Sequence, residues 1–307
     1  MHLIECSVRE YITSYIDYLR YERHFSVHTV GAYSNDLLQF ASFLEGIEHL
    51  GGEPLSLEQI DADIVRRWMM DLMRRSLSSA SVNRKLSALQ SFFKYLIRQG
   101  TVRKHPFPMV SGPKKHKSLP YFIKEKDMHH LLDEEVFGDN FEGVRDHLIL
   151  EMLYETGIRC SELVGIHNQD LDTDAMMLKV TGKRNKQRLV PFADRLKDMI
   201  LYYTNVRARE VASDSSSFFL RKDGRPVTSA IVYYIVKKKL SNIPTLSKRS
   251  PHVLRHTFAT SMLNDGAELS AVRDLLGHSS LASTSVYTHV TFEELKKVYN
   301  AHPRAKK

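Results

Sequence analysis

Cysteine is scarce. Cys6 and Cys160 are the only two in 307 residues, too far apart for a disulfide framework or a zinc knuckle, so a reducing compartment is expected and a structural metal is not. No run of about 18 consecutive apolar residues occurs, which excludes a membrane-spanning helix. The opening stretch, MHLIECSVREYITSYIDYLRYERH, carries Glu5 and has no uniform apolar core, so it does not read as a signal peptide and a cytoplasmic location is expected. Internal repeats and low-complexity tracts are missing. So are several catalytic signatures: there is no paired-carboxylate site, no P-loop, no H-E-x-x-H and no G-x-S-x-G elbow.

What is present is a basic surplus. Lys and Arg number 44 against 36 Asp and Glu, giving a formal charge of +8. Such a balance favours a polyanion such as nucleic acid as partner, provided the charge is localised.

The first hundred residues read as helices. Val8, Tyr11, Ile12, Tyr15, Ile16 and Leu19 fall on one stripe at helical spacing. Ser26 is placed to cap a second helix whose apolar face is Tyr33, Leu37, Phe40 and Phe43. IVRRWMMDLMRR predicts a third, and SLSSASVNRKLSALQSFFKYLIRQG a fourth that stops at Gly100. Residues 1–105 are therefore expected to form a four-helix domain. Residues 106–120 are rich in Pro and Lys and read as a linker, either a solvated connector or a basic tether along a phosphate backbone. Residues 121–307 read as a second, mostly helical domain. Its one β-hairpin has strands MMLKV and RLVPF and a polar turn over Gly182–Lys186. The fold class expected is mainly α, in two domains, with a small sheet in the second.

Three stretches could carry chemistry. TGKRNKQR gathers Lys183, Arg184, Lys186 and Arg188 at the hairpin; these charges repel one another, so the cluster is either a solvated tip or a groove for a polyanion. In YETGIRCSELVGI, Gly157 should end a helix and Ser161 with Glu162 begin the next. Arg159 sits in that junction, where its planar fork suits two phosphate oxygens, with Glu162 three residues on to hold it; a surface ion pair is the plainer reading. HVLRH puts His252 and Arg255 on one helical face, with Pro251 at its first turn and Ser250 before it. His278 follows Gly277 at a helix end, and Tyr287 comes nine residues later among apolar neighbours that would also suit a core tyrosine.

Taken together, two Arg, a Lys, two His and a Tyr describe one reaction. Arg neutralises a phosphate and the added charge of its pentavalent transition state. Tyr can attack phosphorus and become covalently attached, while His and Lys move protons to and from oxygens. The set describes metal-free transesterification of a phosphodiester.

The chain resembles the tyrosine recombinases, most closely the bacterial Xer type, along nearly its whole length. TGIRCSEL is similar to the family's first Arg box, HVLRHTFAT to its second, LLGHSSLASTSVYTH to the region ending in the nucleophile, and VTGKRNKQRLVPF to its catalytic hairpin. The resemblance implies a catalytic set of Arg159, Lys183, His252, Arg255, His278 and Tyr287. Tyr287 would attack the scissile phosphate, leaving a 3′-phosphotyrosine and a free 5′-hydroxyl. Arg159 and Arg255 would grip the non-bridging oxygens, Lys183 would protonate the leaving oxygen, His252 would accept the Tyr287 proton and His278 would bond the phosphate. Glu162 would orient Arg159. Neither ATP nor metal is implied.

By the same resemblance the N-terminal helices form a core-binding (SAM-like) domain that clamps double-stranded DNA opposite the catalytic domain. Thr29, Asn83, Arg84, Lys85, Arg184 and Lys186 are candidates for phosphate contact. A tetramer of like or related subunits is implied, with the C-terminal FEELKKVYNAHPRAKK either docking into a neighbour or fraying. An accessory activator, such as a cell-division DNA translocase, fits the same picture. Chromosome dimer resolution is the expected role. A mobile-element integrase, a type IB topoisomerase and a non-catalytic architectural DNA-binding protein are the competing readings.

Overall fold

The computed structural model describes residues 8–48, 55–107, 110–114, 122–133, 137–182, 185–277, 299 and 302–303. The chain divides into two compact units, Met1–Ser118 and Leu119–Lys307. Each has its own apolar core.

Among its described residues the N-terminal unit holds four α-helices. α1 (Val8–Asp17) widens into a π-helical turn over Tyr18–Glu22. The predicted stripe faces inward, with Ile12, Tyr15, Ile16 and Leu19 buried. α2 (Val27–Glu48) starts where Ser26 Oγ accepts the Thr29 N–H at 3.2 Å. α3 (Ala62–Arg74) is capped by Asp61, whose carboxylate accepts from Asp63 and Ile64. α4 (Ser79–Arg98) is capped by Ser78. It ends as expected, because Gly100 takes φ +73° and the Thr101 N–H bonds back to Leu96 O. Trp68 is 1% exposed and meets Phe40 edge-on at 4.9 Å, the arrangement that ring quadrupoles favour.

The Pro-rich stretch is not all connector. Phe107 is 5% exposed in the N-terminal core. The Asn83 amide donates to Pro113 O at 2.9 Å, and a Cβ on Gly112 would fall 2.1 Å from Asn83 Oδ1. Few backbone donors and a small residue let this segment lie flat on α4, and the break between units, after Ser118, falls within the 106–120 stretch.

In the second unit α5 (Glu125–Leu131) precedes α6 (Phe141–Thr156), which is buried on nearly every side. α7 (Cys160–Val164) follows, then a three-stranded antiparallel sheet in the order β1 (Leu171–Asp172), β2 (Met177–Thr181), β3 (Gln187–Pro191). The hairpin is the one predicted, shifted by one residue in each strand, while β1 was not foreseen; two residues carry no period-2 signal. Asn185 takes φ +57° in the turn, a conformation Asn tolerates. α8 (Asp194–Glu210), α9 (Ser229–Leu240), α10 (Pro251–Asn264) and α11 (Leu269–Leu276) complete the described elements. Among the described residues no helix is long and apolar enough to cross a membrane.

Candidate active site

The site is built where the end of α6, the start of α7, the hairpin, α10 and the end of α11 converge. Gly157 ends α6 at φ +59°, ψ 17°. A Cβ there would sit 2.4 Å from Phe258 and 2.9 Å from Leu276, so the turn requires glycine on two counts. Ile158 is buried, and Arg159 then stands at the N-cap position of α7 in extended conformation. The helix starts one residue earlier than expected, and Ser161 lies inside it. Its cap comes from Glu162, whose Oε2 accepts the Arg159 N–H at 2.8 Å. The other oxygen, Oε1, accepts from Arg159 Nη1, also at 2.8 Å. One carboxylate thus fixes both the backbone and the side chain of Arg159, which stays 34% exposed.

Arg188 completes this node. Its Nη1 and Nη2 donate to the two Glu162 oxygens at 3.0 Å each, and its Nε donates to Leu275 O at 2.8 Å. Burial alone would raise the Glu162 carboxyl, but the bonds from Arg188 and Arg159 outweigh it and hold it down at about 2. A Cβ on Gly182 would lie 3.2 Å from Glu162 Oε1, and one on Gly277 would lie 3.2 Å from Arg188 Nη1. The described residues that precede Lys183 and His278 therefore both abut the Glu162–Arg188 pair.

Arg255, on α10, is 7% exposed. It donates to Gly157 O and to Leu276 O, each at 2.6 Å, tying the α6–α7 turn to the end of α11. Burial first, then the Arg159 charge, lower its guanidinium to about 10, so it keeps its proton at neutral pH. His252, one turn before it, is exposed on the same helix. Partial desolvation of the ring, and then the His256 and Arg255 charges, push it below the ordinary 6.5. Pro251 occupies the first turn as expected, whereas Ser250 makes no side-chain cap bond.

The arithmetic of charge gives this cluster its chemical meaning. Two guanidinium groups, Arg159 and Arg188, bond the Glu162 carboxylate, and a third, Arg255, lies close enough to feel its charge and that of both other arginines. Excess positive charge in a partly buried site opposes folding, and a bound anion relieves it. Arg159 is the exposed member, so the anion would meet it first.

Lys183, Arg184, His278 and Tyr287 lie outside the described residues. Among the phosphate-contact candidates, Lys186 is exposed. The Arg84 side chain is 47% exposed but forks onto Asp36. Thr29 Oγ1 pairs with Ser26 Oγ at 2.8 Å, and Asn83 is engaged by Ser79 O and Pro113 O. Lys85 is corrected. It is 4% exposed and bonds Asp36 at 2.8 Å and Gln39 at 2.7 Å, so it neutralises a fully buried carboxylate instead of presenting a charge at the surface. Near the C-terminus, Tyr299 and His302 are buried against their own chain. The Tyr299 hydroxyl donates to Glu155 at 3.1 Å, and the His302 ring stacks on Phe258 at 5.3 Å.

Arg188 is the residue that sequence reasoning left unassigned within the basic run. Alternation would have found it. Arg188 pairs with Val180 and shares a face with Val190, both buried, so it must point inward.

Residues 122–294 match the phage integrase family, and residues 12–100 match the phage integrase N-terminal SAM-like domain. The chain belongs to the phage integrase family. It is 40% identical over 295 residues to a tyrosine recombinase XerC of Staphylococcus carnosus, covering 96% of this chain and 97% of that one. Against the XerC of Listeria monocytogenes the identity is 41% over 298 residues, with coverage of 95% and 97%. Among solved structures, the fold is shared with a XerH site-specific recombinase bound to difH substrate, at TM-score 0.73, 18% identity and coverage of 95% and 97%. It is shared too with a Tn1549 transposon integrase bound to transposon right end DNA, at TM-score 0.70, 20% identity and coverage of 95% and 98%. The chain is a Xer-type tyrosine recombinase, a site-specific recombination enzyme built from a SAM-like unit and a mostly helical catalytic unit.

Proposed function

We propose that this recombinase resolves chromosome dimers, cutting and rejoining double-stranded DNA at specific core sites. The observation that carries the reading is the electropositive node of Arg159, Arg188 and Arg255 around Glu162, in a chain about 40% identical end to end to XerC proteins. The scissile phosphate would bind between Arg159 and Arg255, whose charges offset the negative charge that grows in the transition state. Tyr287 would attack phosphorus as the bond to the 5′-oxygen breaks. The leaving oxygen would take a proton from Lys183, and His252, held neutral, would accept the Tyr287 proton. His278 would bond the phosphate. The bond energy stays in the 3′-phosphotyrosine, so the partner strand's 5′-hydroxyl reverses the step and joins the exchanged strands.

On this reading the two units clamp a core site as domains 1–105 and 121–307. Arg84, Arg184 and Lys186 meet the backbone, and four cytoplasmic subunits act together, with an accessory activator as a further partner. The C-terminal segment would leave its seat on Glu155 and Phe258 to dock into a neighbour. A plasmid carrying two directly repeated candidate core sites tests the role. Conversion into two circles, lost in Tyr287→Phe, is expected. Site-specific binding with no change in plasmid topology would overturn it in favour of an architectural protein.

A further inference from the structure

We propose that Arg188 is a positioning residue of the strand-cleavage reaction, setting the geometry of Arg159 through Glu162 and that of Arg255 through the carbonyl end of α11. The inference rests on the proposed active site. Arg188 itself does not meet substrate: its side chain is 11% exposed, and all three of its nitrogens are engaged, two on Glu162 and one on Leu275 O.

The geometry explains why an arginine is needed. Glu162 must accept from Arg159 on one side and be braced on the other, or its carboxylate would swing onto Arg159 alone. A planar fork meeting both oxygens at 3.0 Å supplies that brace. The remaining Nε reaches Leu275 O, one residue from the Leu276 O that Arg255 bonds. Adjacent carbonyls at the end of α11 are thus held by two arginines arriving from β3 and α10. Gly277, at φ +64°, leaves room for this, since a Cβ would press on Arg188 at 3.2–3.4 Å. Removing Arg188 therefore releases both phosphate-gripping arginines from a common reference.

The test is single-turnover cleavage of a nicked duplex bearing a core site, with DNA binding measured in parallel. Full-length wild type, Tyr287→Phe, Arg188→Ala and Arg188→Lys are compared. For Arg188→Ala, DNA binding within about twofold of wild type and cleavage slowed about 10- to 100-fold are expected, the scale of a roughly 1 Å misplacement. Methylguanidinium, added against a sodium chloride control of equal ionic strength, should restore part of the rate. A second readout is the pH profile. With its brace gone and its burial unchanged, Glu162 should take up a proton more readily, so the acid limb of cleavage in Arg188→Ala should lie at higher pH than that of wild type. A wild-type rate in Arg188→Ala, or a loss that parallels its folded fraction with an unchanged pH profile and no rescue, would overturn the inference. Should Arg188→Ala not fold, Arg188→Lys carries the test: it keeps the charge but loses the fork, and wild-type cleavage there would refute the claim. No adduct in wild type would overturn the active-site reading and this inference together, whereas an adduct lost in Tyr287→Phe but formed at the wild-type rate in Arg188→Ala would sink this inference alone.

Discussion

Replacing Glu162 with Gln should destabilise the catalytic unit by an amount that depends on pH. The carboxyl would titrate near 4.5 in an unfolded chain and is held at about 2 in the folded one. By proton linkage that depression contributes roughly 3 kcal/mol at neutral pH. The stabilisation is fully present above the unfolded value and is lost as pH falls through the folded value. It should therefore fade between about pH 5 and about pH 2. An independent scale agrees, since breaking a buried ion pair costs about 3–5 kcal/mol. At neutral pH, then, Glu162→Gln should unfold more easily by roughly 3 kcal/mol, and the gap should narrow on acidification because a protonated Glu and a Gln meet the arginines alike. The difference between the two proteins isolates Glu162 from every other carboxylate. Urea unfolding should be read by hydrogen exchange in α6 and α7 peptides, because both units are helical and the sole tryptophan, Trp68, lies in the other one. A gap that stays constant from about pH 7 to about pH 3 would refute the claim that an ionised Glu162 is the anchor of the node.

Other consequences are checked more briefly. Asp36→Ala should leave Lys85 buried without its counter-ion, costing the N-terminal unit about 3–5 kcal/mol in a Trp68-monitored urea melt; an unchanged midpoint would contradict the structural role given to Lys85. Gly157→Ala should cost about 1–3 kcal/mol or more, from strain at positive φ and overlap with Phe258, and a melting temperature equal to wild type would contradict this. With His252 held below 6.5, the acid limb of single-turnover cleavage should lie below that value too. A rate still rising above about pH 7.5 would argue against His252 as the proton acceptor. DNA binding should weaken steeply with salt, by at least about tenfold between roughly 50 and 200 mM, as several phosphates are neutralised together; a flat response would count against a backbone clamp.

The sequence made some parts of this molecule plain and hid others for physical reasons. The long N-terminal helices were legible because apolar spacing and caps agree, as at Ser26. Gly157 and Gly277 were legible as helix stops because left-handed backbone selects glycine. Less visible was the destination of charge. Lys85 and Arg84 look alike in sequence, yet one lies under Asp36 and the other over it, a difference set by packing between α2 and α4. Arg188 was lost in a run of like charges, although its strand register turns it inward. The part of the Pro-rich stretch that packs on α4 was hidden because its contacts, Phe107 and Pro113, are long-range and non-periodic.

The most direct test of the account is to trap the covalent intermediate. The protein would be incubated in EDTA with nicked duplexes carrying candidate core sites, and the products run on denaturing gels beside Tyr287→Phe. A metal-independent protein–DNA adduct on the 3′ side of the break, attached through Tyr287 and lost in the Phe variant, is expected. Tight, site-specific binding with no adduct, or an adduct that survives Tyr287→Phe, would contradict it.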